Sequence, residues 1–155
     1  MIYSIIGRNY IRIDTGNTEQ DKQDNLTMAI EVSANEVLQD FKNIPKDKQT
    51  FKNAMLDIAS SNMQRKIEGL TTLYLLAAGA AGIRGQAMEG SKRLLQKGIE
   101  FKKQKLMERF EALQIQLMKA EEDIDVDNAF LTKLHDDIAR VRAEAWEIEN
   151  GEVFG

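Results

Sequence analysis

The chain has 155 residues, 43% of them hydrophobic and 30% charged, with one Pro, no Cys and a formal net charge of −4. That length suits a single domain with a sizeable core, and one Pro with few aromatics favours helix over sheet. The absence of Cys excludes a disulfide framework, a thiolate metal site and a cysteine nucleophile.

The first residues read as a small hairpin or extended arm. Ile2 to Ile6 and Tyr10 to Ile13 are β-branched or aromatic runs flanking the turn-prone Gly7-Arg8-Asn9. Two strands cannot stand alone in water, so this arm is expected to pack on helices or to add to a partner's sheet edge. The start lacks a basic leader and a small-residue cleavage site, so no cleavable signal peptide is expected. Synthesis in the cytoplasm follows, with a virion or export by a non-cleaved route as destinations this leaves open. From Asp14 to Asp24 the chain is polar and turn-rich, which reads as a linker, so residues 1–24 form an N-terminal unit and 25–155 a helical domain.

A first helix is expected over 25–43, with Met28, Ile30, Ala34, Val37, Leu38 and Phe41 as its apolar stripe and Asp24 or Asn25 as its cap. Pro45 disfavours the α conformation at Ile44 and ends it. A second helix is expected over 46–69, where Phe51, Met55, Ile58, Ala59, Asn62, Met63 and Ile67 hold helical spacing.

Leu70 to Ile83 is fourteen residues without a charge. Crossing a bilayer takes about twenty apolar residues, so a buried core helix is favoured over an oligomer interface, and both over a membrane-inserting segment. Its second half is built of small residues that allow helices to approach closely. Leu73, Leu76, Ala78, Gly79 and Gly82 are therefore read as a tight-packing or membrane-proximal surface, with membrane contact not favoured.

Between Gly98 and Gly151 there is neither Gly nor Pro. A heptad pattern runs through this stretch: Ile99, Leu106, Phe110, Leu113, Leu117, Ala120, Ile124, Leu131, Leu134, Ile138, Val141, Ala145 and Ile148, interrupted at Lys103 and Asp127. A stripe of period 3.5 stays on one side of a slightly underwound helix and needs another helix to cover it. A straight helix of about fifty residues would reach about 75 Å. The weak point is Asp123 to Asn128, where Asp127 is a cap candidate and Val126 with Leu131 a hydrophobic staple, the start of a second helix folding back. The unbroken register favours one continuous helix from about 86 to 149 over a hairpin. Trp146, Val153 and Phe154 form an apolar tail that is a candidate to dock.

Charge reverses along this stretch. Residues 84–109 carry eight Lys/Arg against three Glu, and residues 110–155 carry twelve Asp/Glu against four Lys/Arg. Such a polarity suits pairing with a fold-back or a neighbouring helix. Nucleic acid is not expected as a partner, because Glu residues interrupt the basic stretch and the chain is acidic overall.

No constellation of catalytic type stands out. The Asp123-Asp125-Asp127 run resembles the start of a calcium loop, but the sixth position is Asn128 rather than Gly and the twelfth is Leu134 rather than Glu. His135, the single histidine, is followed by Asp136 and Asp137 and has Ala139 at the helical i+4 position, so it reads as a surface residue. Gly79, Gly82, Gly85 and Gly90 lack the spacing of a phosphate loop, and no cofactor or metal is expected. A small-residue apolar segment followed by a long heptad-patterned helix resembles, in architecture, internal proteins that phages eject and type III translocator and filament subunits. The 99–148 seam and the Ala/Gly segment, with no catalytic constellation beside them, point to a non-enzymatic helical protein, a homo-oligomer or a subunit of a larger assembly. The competing expectations are a cytosolic helical adaptor or chaperone binding one partner helix, and a membrane-active protein using 70–83.

Overall fold

A computed structural model describes the backbone of residues 3–6, 9–12, 18–81 and 89–154, with side chains over 18–81 and 93–154. Among the described residues the chain is mainly helical: α1 (Glu19–Asp40), α2 (Gln49–Ala59), α3 (Met63–Ala80), α4 (Glu89–Glu122) and α5 (Asn128–Glu149). Two short strands, β1 (Tyr3–Ile6) and β2 (Asn9–Arg12), pair antiparallel with Tyr3 opposite Arg12, and both lie against α1. Asn9, expected in the turn, stands in β2, while Gly7 and Arg8 lie outside the described residues.

The first helix begins earlier than its apolar pattern does. Thr18 is the cap: its Oγ1 accepts from the Asp21 backbone N–H at 3.1 Å, and Glu19 and Asp21 put negative charge in the first turn, where the helix dipole favours it. Most of the second half of the expected linker is therefore helical, and the boundary at residue 24 falls inside α1. Residues 18–24 are exposed, so nothing in their hydrophobicity betrays the helix. α1 buries Ala29, Ile30, Ser33, Ala34 and Val37, and ends at Asp40. Met28 and Phe41, expected on that stripe, point outward.

The helix expected over 46–69 is two helices. Ser60 to Asn62 breaks it: the Ser60 N–H donates to Asp57 O at 3.1 Å, and Asn62 caps α3 by accepting from the Arg65 N–H at 3.1 Å. Ser and Asn side chains offer the backbone alternatives to the helical ladder, so this triplet ends one helix and starts the next. The helices then pack against each other at Gly69, where an added Cβ would lie 2.6 Å from Ala54 O and 2.9 Å from the Ile58 backbone nitrogen. Only a residue without a side chain permits that approach.

The fourteen-residue uncharged run supplies the centre of the bundle. Leu73 and Leu76 are fully buried, and Leu70, Thr72, Leu75 and Ala77 are buried with them. α3 packs on α1, α2 and α4, and Ser33 Oγ and Tyr74 Oη share a hydrogen bond between α1 and α3. No described helix is long and apolar enough to cross a membrane. Ala78 and Gly79 are half-buried, and Gly82 lies outside the described residues.

The expectation of one continuous helix to residue 149 is corrected: α4 and α5 form an antiparallel hairpin around Asp123 to Asp127. Asp123 Oδ1 accepts from the Asp125 N–H at 2.9 Å, and Asp127 Oδ1 caps α5 by accepting from the Ala129 N–H at 3.0 Å. Local carboxylate acceptors thus replace the missing helical bonds, and the heptad phase across 124–131 carries no information about continuity. After α5 the chain turns sharply. Gly151 has φ +69°. Its N–H donates to Ile148 O at 3.1 Å, and the Glu152 N–H donates to Glu147 O at 3.0 Å. This left-handed termination suits glycine. It directs Val153 and Phe154 into the core, whereas Trp146 stays exposed.

Candidate functional site

The α4–α5 hairpin carries two apolar rows with different fates. Ile99, Leu106, Leu113 and Ala120 recur every seventh residue of α4, and Leu134, Val141 and Ile148 do so on α5; all are buried. The alternate row is covered only in part: Phe110, Leu117, Leu131, Ile138 and Ala145 are half-buried against the core. Ile124 belongs to neither helix. It sits in the connecting loop with 97% of its surface exposed, so its assignment to a helix-packing seam does not hold.

Between residues 114 and 131 only Ala120 is buried, and only Leu117, Val126 and Leu131 are half-buried, so this end of the hairpin stands clear of the bundle. At its other end the two helices bound a groove of about 320 Å³, floored by Leu106, Phe110, Val141 and Ala145 and edged by Lys103, Met107, Arg142 and Glu149. A more open depression along α4, lined among others by Arg93, Lys97, Phe101 and Met107, adjoins it and shares Lys103 and Glu149. The groove is apolar on its floor; at its rim Lys103 pairs with Glu149 at 3.6 Å and with Glu100 at 3.9 Å, which leaves Arg142 as its uncompensated positive charge. The hairpin tip has the opposite sign, with Glu121, Glu122, Asp123, Asp125 and Asp127 all exposed.

Polar side chains fix this hairpin on the bundle. Lys102 and Glu144 face each other at 2.9 Å (Nζ to Oε2), with 5% and 0% of their side chains exposed. Glu144 Oε2 has no hydrogen bond of adequate geometry, so the contact acts through charge, while Glu144 Oε1 accepts from Asn53 Nδ2 at 2.8 Å. Burial raises the Glu144 pKa above the usual glutamate value, opposed by the Lys102 charge and the Asn53 hydrogen bond. Asn53 Nδ2 also donates to Arg140 O at 3.0 Å, tying α2 to α5 twice. Arg109 reaches from α4 to Asp57 Oδ2 at 3.1 Å and Glu68 Oε2 at 2.6 Å, joining three helices.

Glu147 caps α2 from a distant part of the chain. Its carboxylate accepts from the Gln49 N–H at 2.8 Å, the Thr50 N–H at 2.7 Å and the Thr50 hydroxyl at 2.9 Å. A negative group at a helix N-terminus satisfies donors that otherwise have none and meets the positive end of the dipole. Next to it, Lys48 pairs with Glu152 at 3.1 Å, and that hydrogen bond and charge raise the Lys48 pKa.

Sequence reading passed over these groups. A usable signal exists for one pair: Lys102 lies three residues after Ile99, and Glu144 three after Val141, so opposite charges occupy equivalent positions beside two buried rows. His135 is exposed, and among the described residues no group of three His, Asp or Glu side chains could hold a metal ion. The described surface is a helical bundle with a projecting, charge-polarised hairpin. Comparison with protein-family models, curated proteins and solved structures finds no match.

Proposed function

We propose that this chain is a non-enzymatic structural or assembly protein that works by helix–helix self-association within a larger complex, using the outer face of the α4–α5 hairpin. The observation that carries this reading is the half-covered row Phe110, Leu117, Leu131 and Ile138, continued at the surface by Met107 and Met118. An apolar row that one face of a two-helix hairpin leaves partly open is the kind of seam that another helix closes. In this reading the heptad stretch acts as an antiparallel two-helix coiled coil, and the strand pair beside α1 is a second place for contact. A virion or secretion apparatus is a setting that such a subunit suits. The full burial of Leu73 and Leu76 favours a core role for α3 over membrane insertion.

Size exclusion with light scattering, combined with small-angle scattering on the same peak, tests this. The expected result is a mass at a multiple of the 17.6 kDa protomer that rises with concentration. A strictly monomeric chain at high concentration would remove the assembly reading and leave the adaptor that binds one partner helix.

A further inference from the structure

Two features of the hairpin fit one another but cannot meet within one molecule. The tip offers Ile124, an almost fully exposed apolar side chain between Asp123 and Asp125. The base offers the groove over Leu106 and Val141, rimmed by Lys103, Arg142 and Glu149. Ile124 stands eighteen positions after Leu106, almost all of them in α4, a separation of about 27 Å at 1.5 Å per residue. The tip therefore cannot reach the groove of its own chain.

We infer that the Ile124 tip of one copy seats in the Lys103–Arg142 groove of a second copy, and that the exchange is reciprocal. This rests on the self-association reading above and names its geometry. A lone exposed isoleucine is ordinary on a protein surface. Here its acidic flanks match Arg142 at the groove rim, where Lys103 is already paired with Glu149 at 3.6 Å and Glu100 at 3.9 Å. Arg142 pairs with no carboxylate among the described residues, and Glu121 and Glu122 at the tip pair with no cation among them. Opposite charge across a contact selects its register and speeds encounter.

Two hairpins laid antiparallel place each tip at the other's base, which is a closed two-fold arrangement with both contacts identical. The two-fold axis then passes near the middle of the outer row, so Leu117 and Ile138 of each copy are covered by the other. A parallel arrangement sets acidic tip against acidic tip and leaves both grooves empty, and like charges disfavour it.

The absence of Cys permits a direct test. The double variant Ile124→Cys/Ala145→Cys is oxidised mildly as the full chain and examined on a non-reducing gel. A cross-linked species of twice the protomer mass is expected from the double variant and not from either single variant. Cross-linking of Ile124→Cys alone overturns the antiparallel arrangement, because it requires the tips to meet. In a second measurement, Ile124→Asp is compared with wild type by sedimentation equilibrium. Dimerisation at least about tenfold weaker is expected, with unchanged circular dichroism, since the side chain contacts little in its own chain. A variant that dimerises as tightly as wild type overturns the docking of Ile124 while leaving self-association standing. A wild-type chain that stays monomeric at several hundred micromolar overturns both.

Discussion

Replacing Lys102 with Met removes the cation from a pair that the fold holds almost wholly out of water. The Nζ–Oε2 separation is 2.9 Å, and Glu144 is fully buried. At that distance two unit charges attract by about 6 kcal/mol for an effective dielectric constant of about 20. Desolvation of two buried ions costs several kcal/mol each, so the intact pair contributes close to nothing net. Breaking it is different, because Glu144 keeps its desolvation penalty and retains the Asn53 hydrogen bond at 2.8 Å and the more distant charge of Arg109. Lys102→Met should therefore destabilise by about 3–5 kcal/mol, while Lys102→Met/Glu144→Leu should fall within about 1 kcal/mol of wild type or exceed it. For a chain of this size each kcal/mol moves the melting temperature by about 2–4 °C. Urea and thermal unfolding at pH 7, followed by circular dichroism, measure both variants. Equal destabilisation of the single and double variants would refute the reasoning, since it would mean that the pair itself, and not the orphaned charge, sets the energy.

The same carboxylate gives a pH signature. Burial raises its folded-state pKa above the ordinary glutamate value of about 4.5, so the folded protein holds this proton more tightly than the unfolded chain does. The stability it contributes is present below about pH 4.5 and is lost as pH rises through the raised folded value. Wild type should thus lose stability relative to Glu144→Gln over that window, and a gap independent of pH would contradict the assignment. Gly69→Ala should cost about 1–3 kcal/mol, because the new methyl meets Ala54 O and the Ile58 backbone rather than a movable side chain; a neutral result in urea denaturation would count against the α2–α3 crossing. Glu147→Ala should cost about 2 kcal/mol by removing three hydrogen bonds at the start of α2, and its hydrogen exchange should quicken first at Gln49 and Thr50. Leu117→Asp should weaken association by more than about tenfold while Gln114→Asp, fully outside the row, is nearly silent. Similar association constants for the two variants would refute the assigned row.

Much of the helical content was legible because apolar spacing is a direct record of which side of a helix faces inward. The uncharged run from Leu70 read as a core helix and its Leu73 and Leu76 are buried, and the first helix stops before Pro45, at Asp40 rather than at the expected residue 43. The breaks at Ser60 to Asn62 and Asp123 to Asp127 were harder: Met63 and Ile67 continue the apolar spacing of α2 in sequence although Ile67 is exposed, and the heptad spacing runs through the second break. In both, the readable cue is chemical: short polar side chains that bond the backbone locally, Asn62 to the Arg65 N–H and Asp127 to the Ala129 N–H. Thr18 is the same cue at the start of α1, hidden by an exposed first turn.

The sequence alone determined the helical class, the uncharged run that forms the centre of the bundle, and a heptad stripe that needs another helix to cover it. Tertiary structure decided which residues meet across distance. Lys102 finds Glu144 forty-two positions away, and Glu147 caps a helix that begins nearly a hundred residues earlier. Periodicity specifies the direction of a side chain around its own axis. Pairing between axes depends on where each turn sends the chain, and here a few aspartate and asparagine oxygens set those turns.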